Sequence, residues 1–211
     1  PAGLVPTISL RPYQKQSLAF MVNVETSTDQ SILGRMLDGR PRRGGWLCDE
    51  VGMGKTAVVT ALILANPSHA KRISDEQWAR EAGGGAPASG EYKCTVVVVN
   101  NTLVKQWADE MRKFAPGLVV HTYYASTKNK NLAIEALRDA DVLITTPHMN
   151  MGEAFLARVR LHRLVVDEAH LLYRGSTTAQ KLQALCRFQA RRAPPRPLPS
   201  PPSLSLSHPA C

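Results

Sequence analysis

The sequence predicts an α/β domain built on a parallel sheet with helices on both faces, and three observations carry that prediction. Short branched aliphatic runs, of which Val96-Val97-Val98-Val99 is the densest, alternate with stretches whose apolar residues recur every three or four positions. That is the pattern of strands buried on both faces and joined by amphipathic helices. The run Trp46-Leu47-Cys48 leads through glycines into a strongly apolar helix, and the run Leu164-Val165-Val166 ends in two adjacent carboxylates.

Taken in order, Pro12 suits the first position of a helix that places Leu18, Met21 and Val22 on one face. Gly44-Gly45 then turns the chain into a short strand at 46–48, and a helix follows from 55 to about 65, stopped by Pro67. Residues 66–93 contain Gly83-Gly84-Gly85-Ala86-Pro87-Ala88-Ser89-Gly90, linker chemistry that predicts an insertion loop. The next strand is expected over 95–99, and Thr102 is placed to cap a helix carrying Leu103, Trp107 and Met111, ended by Pro116-Gly117. Trp107 itself reads as core. Further strands are expected at 118–123, 142–145 and 164–166, a short helix at 132–137, and a last helix from about 178 to 191. Seven of the 15 prolines fall in the last 21 residues, which predicts a disordered or polyproline-like tail over 191–211 beside a folded unit over 1–190.

A chain of 211 residues that is 44% hydrophobic holds one principal core. It has no apolar stretch near the roughly 18 residues a membrane span needs and no secretory pattern at its start, so a soluble intracellular protein with no membrane partner is expected. It begins at Pro1 and not at methionine, which predicts a piece of a longer chain or a processed product. Cys48, Cys94, Cys186 and Cys211 lack metal-ligand spacing and are expected as reduced thiols, two of them buried beside strands. The net charge of +9 suits a polyanionic partner, and the tail's three arginines are not its only source. Arg35, Arg40, Arg42 and Arg43 form either a nucleic-acid patch or a solvated basic loop.

The chemistry concentrates in two places. In Asp49-Glu50-Val51-Gly52-Met53-Gly54-Lys55-Thr56, glycines before a helix start let backbone amides and the positive helix end face a phosphate. Lys55 reaches the β- and γ-phosphates, and the Thr56 hydroxyl ligates Mg²⁺. The strict pattern has glycine where Asp49 stands. Downstream, Arg163-Leu164-Val165-Val166-Asp167-Glu168-Ala169-His170 puts two carboxylates at a strand tip, the edge where doubly wound sheets bind ligands. There Asp167 is expected to hold the metal and Glu168 to orient water, the alternative being a strand-to-helix junction with exposed acids.

Together these two segments closely resemble the Swi/Snf-type ATPases, superfamily-two DNA translocases, in which aspartate regularly replaces the first P-loop glycine. The resemblance covers residues 10–190 and implies the ATP-binding RecA-like lobe of a nuclear, DNA-dependent ATPase in chromatin remodelling or DNA repair, with ATP and Mg²⁺ as cofactors and double-stranded DNA as partner. It assigns Asp49, Glu50, Val51, Gly52, Met53, Gly54, Lys55 and Thr56 to the nucleotide, Lys55, Asp167 and Glu168 to hydrolysis, and Thr56 and Asp167 to the metal. Leu10-Arg11-Pro12-Tyr13-Gln14 resembles the family's opening motif and makes Gln14 the adenine reader. Thr102-Leu103-Val104-Lys105-Gln106-Trp107 and Asp141-Val142-Leu143-Ile144-Thr145-Thr146 resemble the motifs that face nucleic acid, with Thr102, Lys105, Thr145 and Thr146 as phosphate contacts. His170 is implied as the link to a following Thr-Gly-Thr-Pro strand, which this sequence lacks, as it lacks a second RecA-like lobe. Two alternatives stay open: a catalytically inactive nucleotide- or DNA-binding module, and an RNA-helicase lobe.

Overall fold

The computed structural model describes residues 1–26, 44–68, 91–124, 140–147 and 160–170, with the single helical positions Thr177, Ala179, Gln180, Leu182, Gln183 and Cys186. Its elements are helix α1 (Pro12–Thr26), helix α2 (Lys55–Ala65), strand β1 (Glu91–Val98), a 3₁₀ turn (Asn101–Leu103), helix α3 (Val104–Phe114), and strands β2 (Val120–Tyr123), β3 (Val142–Thr145) and β4 (Arg160–Val166). The expected helix at 132–137, the arginine cluster at 35–43, Cys211 and the tail lie outside the described residues.

The four strands form one parallel sheet in the order β2-β3-β1-β4. Parallel strands buried on both faces must be apolar throughout. β3 is buried at all four positions, and Val96 to Val99 expose 2% or less. Val97, Val99, Val142 and Ile144 face α2 and α3 in one core with Val59, Ile63, Val104, Trp107, Ala108 and Met111. Val96, Val98 and Leu143, which alternate onto the opposite face, are equally buried.

Register decides where the chemistry falls. Tyr123 pairs with Thr145, Val98 with Thr145, and Val98 with Val166, so all four strands finish at one level. Asp167 follows directly, its amide donating to Val98 O at 2.9 Å, and therefore stands at the carboxyl edge.

Helix α2 is apolar around its whole circumference, the mark of a helix enclosed on every side. It packs on α3 inward and on α1 outward, where Ala57 and Ala61 meet Leu10 and Leu18.

Several local expectations are corrected. Residues 46–48 form no strand: Trp46 is 57% exposed, Cys48 is exposed, and no described strand lies beside them to supply a ladder. Of the thiols, Cys94 is buried and Cys186 partly so, with burial pushing the Cys186 thiol up. β1 begins at Glu91, so the backbone of 91–93 belongs to the sheet and not to the insertion loop, and β4 begins four residues earlier than expected. In α1 the fully buried positions are Gln14 and Val24, while Leu18, Met21 and Val22 are half-buried. Thr102 caps nothing, because the chain enters α3 through the 3₁₀ turn and Leu103 occupies the N-cap without a side-chain bond. Among the described residues no helix is long and apolar enough to cross a membrane.

Candidate functional site

The loop before α2 takes its shape from two glycines. Gly52 has φ +83° and Gly54 φ +79°, both in the left-handed region that side chains rarely adopt. Between them Met53 donates from its amide to Glu50 O at 3.3 Å and offers its own carbonyl to α1. Gln14 Nε2 donates to that carbonyl at 2.9 Å and Tyr13 Oη at 3.2 Å, while Gln14 Oε1 accepts from the Arg11 amide at 2.9 Å. A Cβ on Gly54 would come within 2.6 Å of Gln14 Nε2. Glycine at 54 therefore serves the turn and the close approach of α1 together. Gln14, which the resemblance puts at the adenine, is here a brace on the glycine loop.

Gly54 is the N-cap of α2 and supplies no side-chain cap, so the first amides of an eleven-residue helix end at the loop without a side-chain acceptor. Such an end carries about half a positive charge and favours an anion. Lys55 Nζ donates to Glu50 O at 3.1 Å, folding the ammonium back over its own loop. Thr56 is 8% exposed, and its carbonyl accepts from Thr60 Oγ1 at 2.7 Å. Val51 stands 91% exposed at the crest, and Glu50 is exposed as well. Asp49 Oδ2 is buried without a hydrogen-bond partner, an acceptor for which the described residues provide no donor.

The second half of the site is the β4 tip. Asp167 Oδ1 accepts from the Glu168 amide at 3.0 Å, and Asp167 Oδ2 accepts from Trp107 Nε1 at 3.1 Å. Glu168 sits at φ +51°, the single non-glycine residue with positive φ among the described residues, a left-handed conformation that side chains adopt uncommonly. Its Oε2 lies 3.0 Å from His170 Nδ1, with both side chains well exposed.

Trp107 joins the halves. Its ring is in the core that seats Val59 and Ile63 of α2, and its indole N–H reaches Asp167. Reading Trp107 as core was correct for the ring and missed the polar edge; that a buried indole N–H needs an acceptor was the available signal. The oxygens on hand, the Thr56 hydroxyl and the Asp167 carboxylate, are hard donors of the kind Mg²⁺ takes. The uncapped helix end suits phosphate, so the residues present fit a magnesium–nucleotide complex.

The residues expected at nucleic acid divide. Thr102 and Lys105 are exposed beside the carboxyl edge, at the 3₁₀ turn and the start of α3. Thr146 is 6% exposed. Thr145 departs from the expectation: it is fully buried and its hydroxyl donates to Tyr123 O at 2.8 Å, so a β2–β3 cross-link occupies the donor that a phosphate would need.

The SNF2-related domain matches residues 13–193. The DNA repair protein RAD5B of Arabidopsis thaliana is 26% identical over 86% of this chain and 18% of its own length. The ATP-dependent helicase FUN30 of Saccharomyces cerevisiae is 26% identical over 90% of the chain and 14% of its own length, and the helicase swr1 of Aspergillus fumigatus is 30% identical over 70% and 8%. The chain thus spans less than a fifth of these relatives. Among solved structures, the Sulfolobus solfataricus SWI2/SNF2 ATPase core in complex with dsDNA superposes with a TM-score of 0.53 at 22% identity, over 86% of this chain and 30% of that one. The parallel sheet with its packed helices is the fold of that core, and with the match running through nearly the whole sequence the chain belongs to the SNF2-related domain family.

Proposed function

We propose that residues 1–190 are the ATP-binding lobe of a nuclear DNA-dependent ATPase that acts on double-stranded DNA, in repair or on chromatin. The observation that carries this reading is the uncapped start of α2 behind two left-handed glycines, joined through the core residue Trp107 to a strand tip bearing two carboxylates. Membership of the SNF2-related family, with relatives described as DNA repair proteins and ATP-dependent helicases, supports it.

In this reading the amides at the start of α2 and the Lys55 ammonium bind the phosphates. Thr56 and Asp167 hold Mg²⁺, and Glu168 orients the attacking water, with His170 fixing the Glu168 carboxylate at 3.0 Å. Bound Mg²⁺ supplies charge neutralisation at the γ-phosphate. Gln14 connects the adenine to the phosphate loop through Met53, and the loop residues Asp49, Glu50 and Val51 complete the cradle. Thr102 and Lys105, exposed at the carboxyl edge, contact the DNA backbone.

Charge stabilisation from an arginine outside the P-loop is worth about 10³–10⁵ in rate in phosphoryl transfer. These 211 residues alone are therefore expected to bind ATP and hydrolyse it slowly. Two measurements test the reading. Titration with a fluorescent ATP analogue should give saturable binding that Lys55→Ala abolishes; equal binding by the variant rejects the phosphate site. Steady-state turnover should stay low with or without duplex DNA; strong stimulation by DNA rejects the need for further parts.

A further inference from the structure

The contact between Trp107 and Asp167 has a meaning beyond packing. A buried indole N–H is satisfied by any acceptor, and backbone carbonyls are the commonest. Here the acceptor is the half-buried carboxylate at the tip of β4, and the two residues are 60 positions apart in sequence. With Oδ1 held by the Glu168 amide and Oδ2 by the indole, both rotatable bonds of Asp167 are fixed. About two of the four lone-pair positions of the carboxylate remain for another ligand.

The donor is held as firmly as the acceptor. Trp107 is 5% exposed and belongs to one buried core with Val59 and Ile63 of α2, Val97 of β1 and Val99 just beyond that strand. Asp167 is tied to β1 by its own amide. Any displacement of α2 relative to β1 must therefore act on the indole, and through it on the carboxylate.

We propose that Trp107 is a positioning residue for Mg²⁺: its indole N–H sets the orientation of the Asp167 carboxylate and couples it to the seat of the phosphate-loop helix. This rests on the reading of Asp167 as a metal ligand. Outer partners that orient a ligating carboxylate change metal affinity by about 10–100-fold when removed. Trp107→Phe keeps most of the ring in the core and removes only the donor.

The test is the Mg²⁺ dependence of nucleotide binding, followed with a fluorescent ATP analogue in the full chain. Trp107→Phe should shift the Mg²⁺ midpoint upward by about 10–100-fold. Affinity in EDTA should be unchanged, since the α2 amides and Lys55 are untouched. Asp167→Asn should shift the midpoint as far or further, and Trp107→Phe added to it should have no additional effect. A normal Mg²⁺ midpoint in Trp107→Phe beside a shifted one in Asp167→Asn overturns the positioning role. A normal midpoint in Asp167→Asn overturns the ligand assignment beneath it.

A second measurement needs no change to the core. The chain has three tryptophans, so its indole N–H resonances are few. The Trp107 resonance should move in Asp167→Asn and again when Mg²⁺ is added to the nucleotide-bound protein. Mg²⁺-tightened binding that leaves this resonance in place overturns the proposal.

Discussion

Helices α1 and α2 lie side by side, and their two ends meet opposite kinds of chemistry. At their starts Gln14 braces the glycine loop, the α2 amides lack a side-chain cap and, among the described residues, Lys55 reaches only its own loop carbonyl and Asp49 Oδ2 has no partner. At their other ends the polar groups form a closed set. Arg163 of β4, 8% exposed, donates to both oxygens of Glu25 at the end of α1, to Thr95 Oγ1 at 3.1 Å and to the carbonyl of Asn66 at 3.0 Å. Asn66 Nδ2 donates in turn to Glu25 Oε2 at 2.7 Å, and His162 Nε2 lies 3.1 Å from Asn66 O. One end joins α1, α2, β1 and β4 into a fixed unit, and the other leaves open the hydrogen-bonding capacity that the proposed nucleotide site would use. A fold that must present unsatisfied groups at one edge needs its helices fixed elsewhere, because burying unpaired polar groups is costly.

The largest effect should come from breaking the closed end. Arg163→Met leaves Glu25 buried without its counter-charge, a situation that typically costs about 3–5 kcal/mol. Urea denaturation should show that loss, and the double variant Arg163→Met with Glu25→Leu should recover most of it, since apolar replacement of both partners is often neutral. If the single variant lost less than about 1 kcal/mol, the joint would be ornamental to the fold.

At the open end the glycines come next. Gly54→Ala imposes a side chain at φ +79° and drives its Cβ against Gln14 Nε2, so a loss of about 1–3 kcal/mol is expected together with loss of nucleotide binding. Gly52→Ala meets no atom within 4 Å and carries the conformational part alone, about 1–2 kcal/mol. Equal costs at the two positions would mean that the α1 brace contributes nothing.

Acid should act on the closed end first. Burial pushes the Glu25 carboxyl up, but hydrogen bonds and charge from Arg163, with further help from Asn66, hold it below its ordinary value of 4.5. Because the folded-state value is the lower one, the stabilisation is complete above about pH 4.5 and disappears as pH falls through the folded-state value. Glu25→Gln should be less stable than the parent by about 1–2 kcal/mol at neutral pH, and the gap should close as a denaturation series is taken below pH 4.5. A gap that stays constant would place the contribution outside the carboxylate charge.

The sequence carried unequal amounts of information about these regions. Helix α2 and strand β3 have their expected limits: α2 follows Gly54 and stops short of Pro67, and β3 is an aliphatic run bounded by Asp141 and Pro147. The glycine loop before Lys55 and the two carboxylates at 167 and 168 were visible as motifs, because each is a short run of residue types that needs no distant contact to be read. What stayed hidden depends on contacts between distant segments. Nothing near Arg163 in sequence points to Glu25, 138 positions away, and the apolar pattern that placed Trp107 in the core is silent about the Asp167 oxygen its indole meets. The strand expected at 46–48 has no described neighbour, and Thr145 turned inward, because pairing and orientation follow the sheet's register and not the local run.

The smallest effect on stability should come from the residue most important to the proposed chemistry. Lys55 is the first residue of α2, and a cation there opposes the helix dipole by about 0.3–1 kcal/mol. Among the described residues its ammonium makes one hydrogen bond, to the loop carbonyl of Glu50, and alanine is the better helix former. Lys55→Ala should therefore unfold at the same urea concentration as the parent or slightly above it, while losing nucleotide binding. A lysine that the fold does not need and the helix end slightly disfavours is explained by an anion that comes and goes. If Lys55→Ala were instead destabilised by more than about 1 kcal/mol, the ammonium would be part of the loop's own structure, and the contrast between the closed and open ends would fail at its central residue.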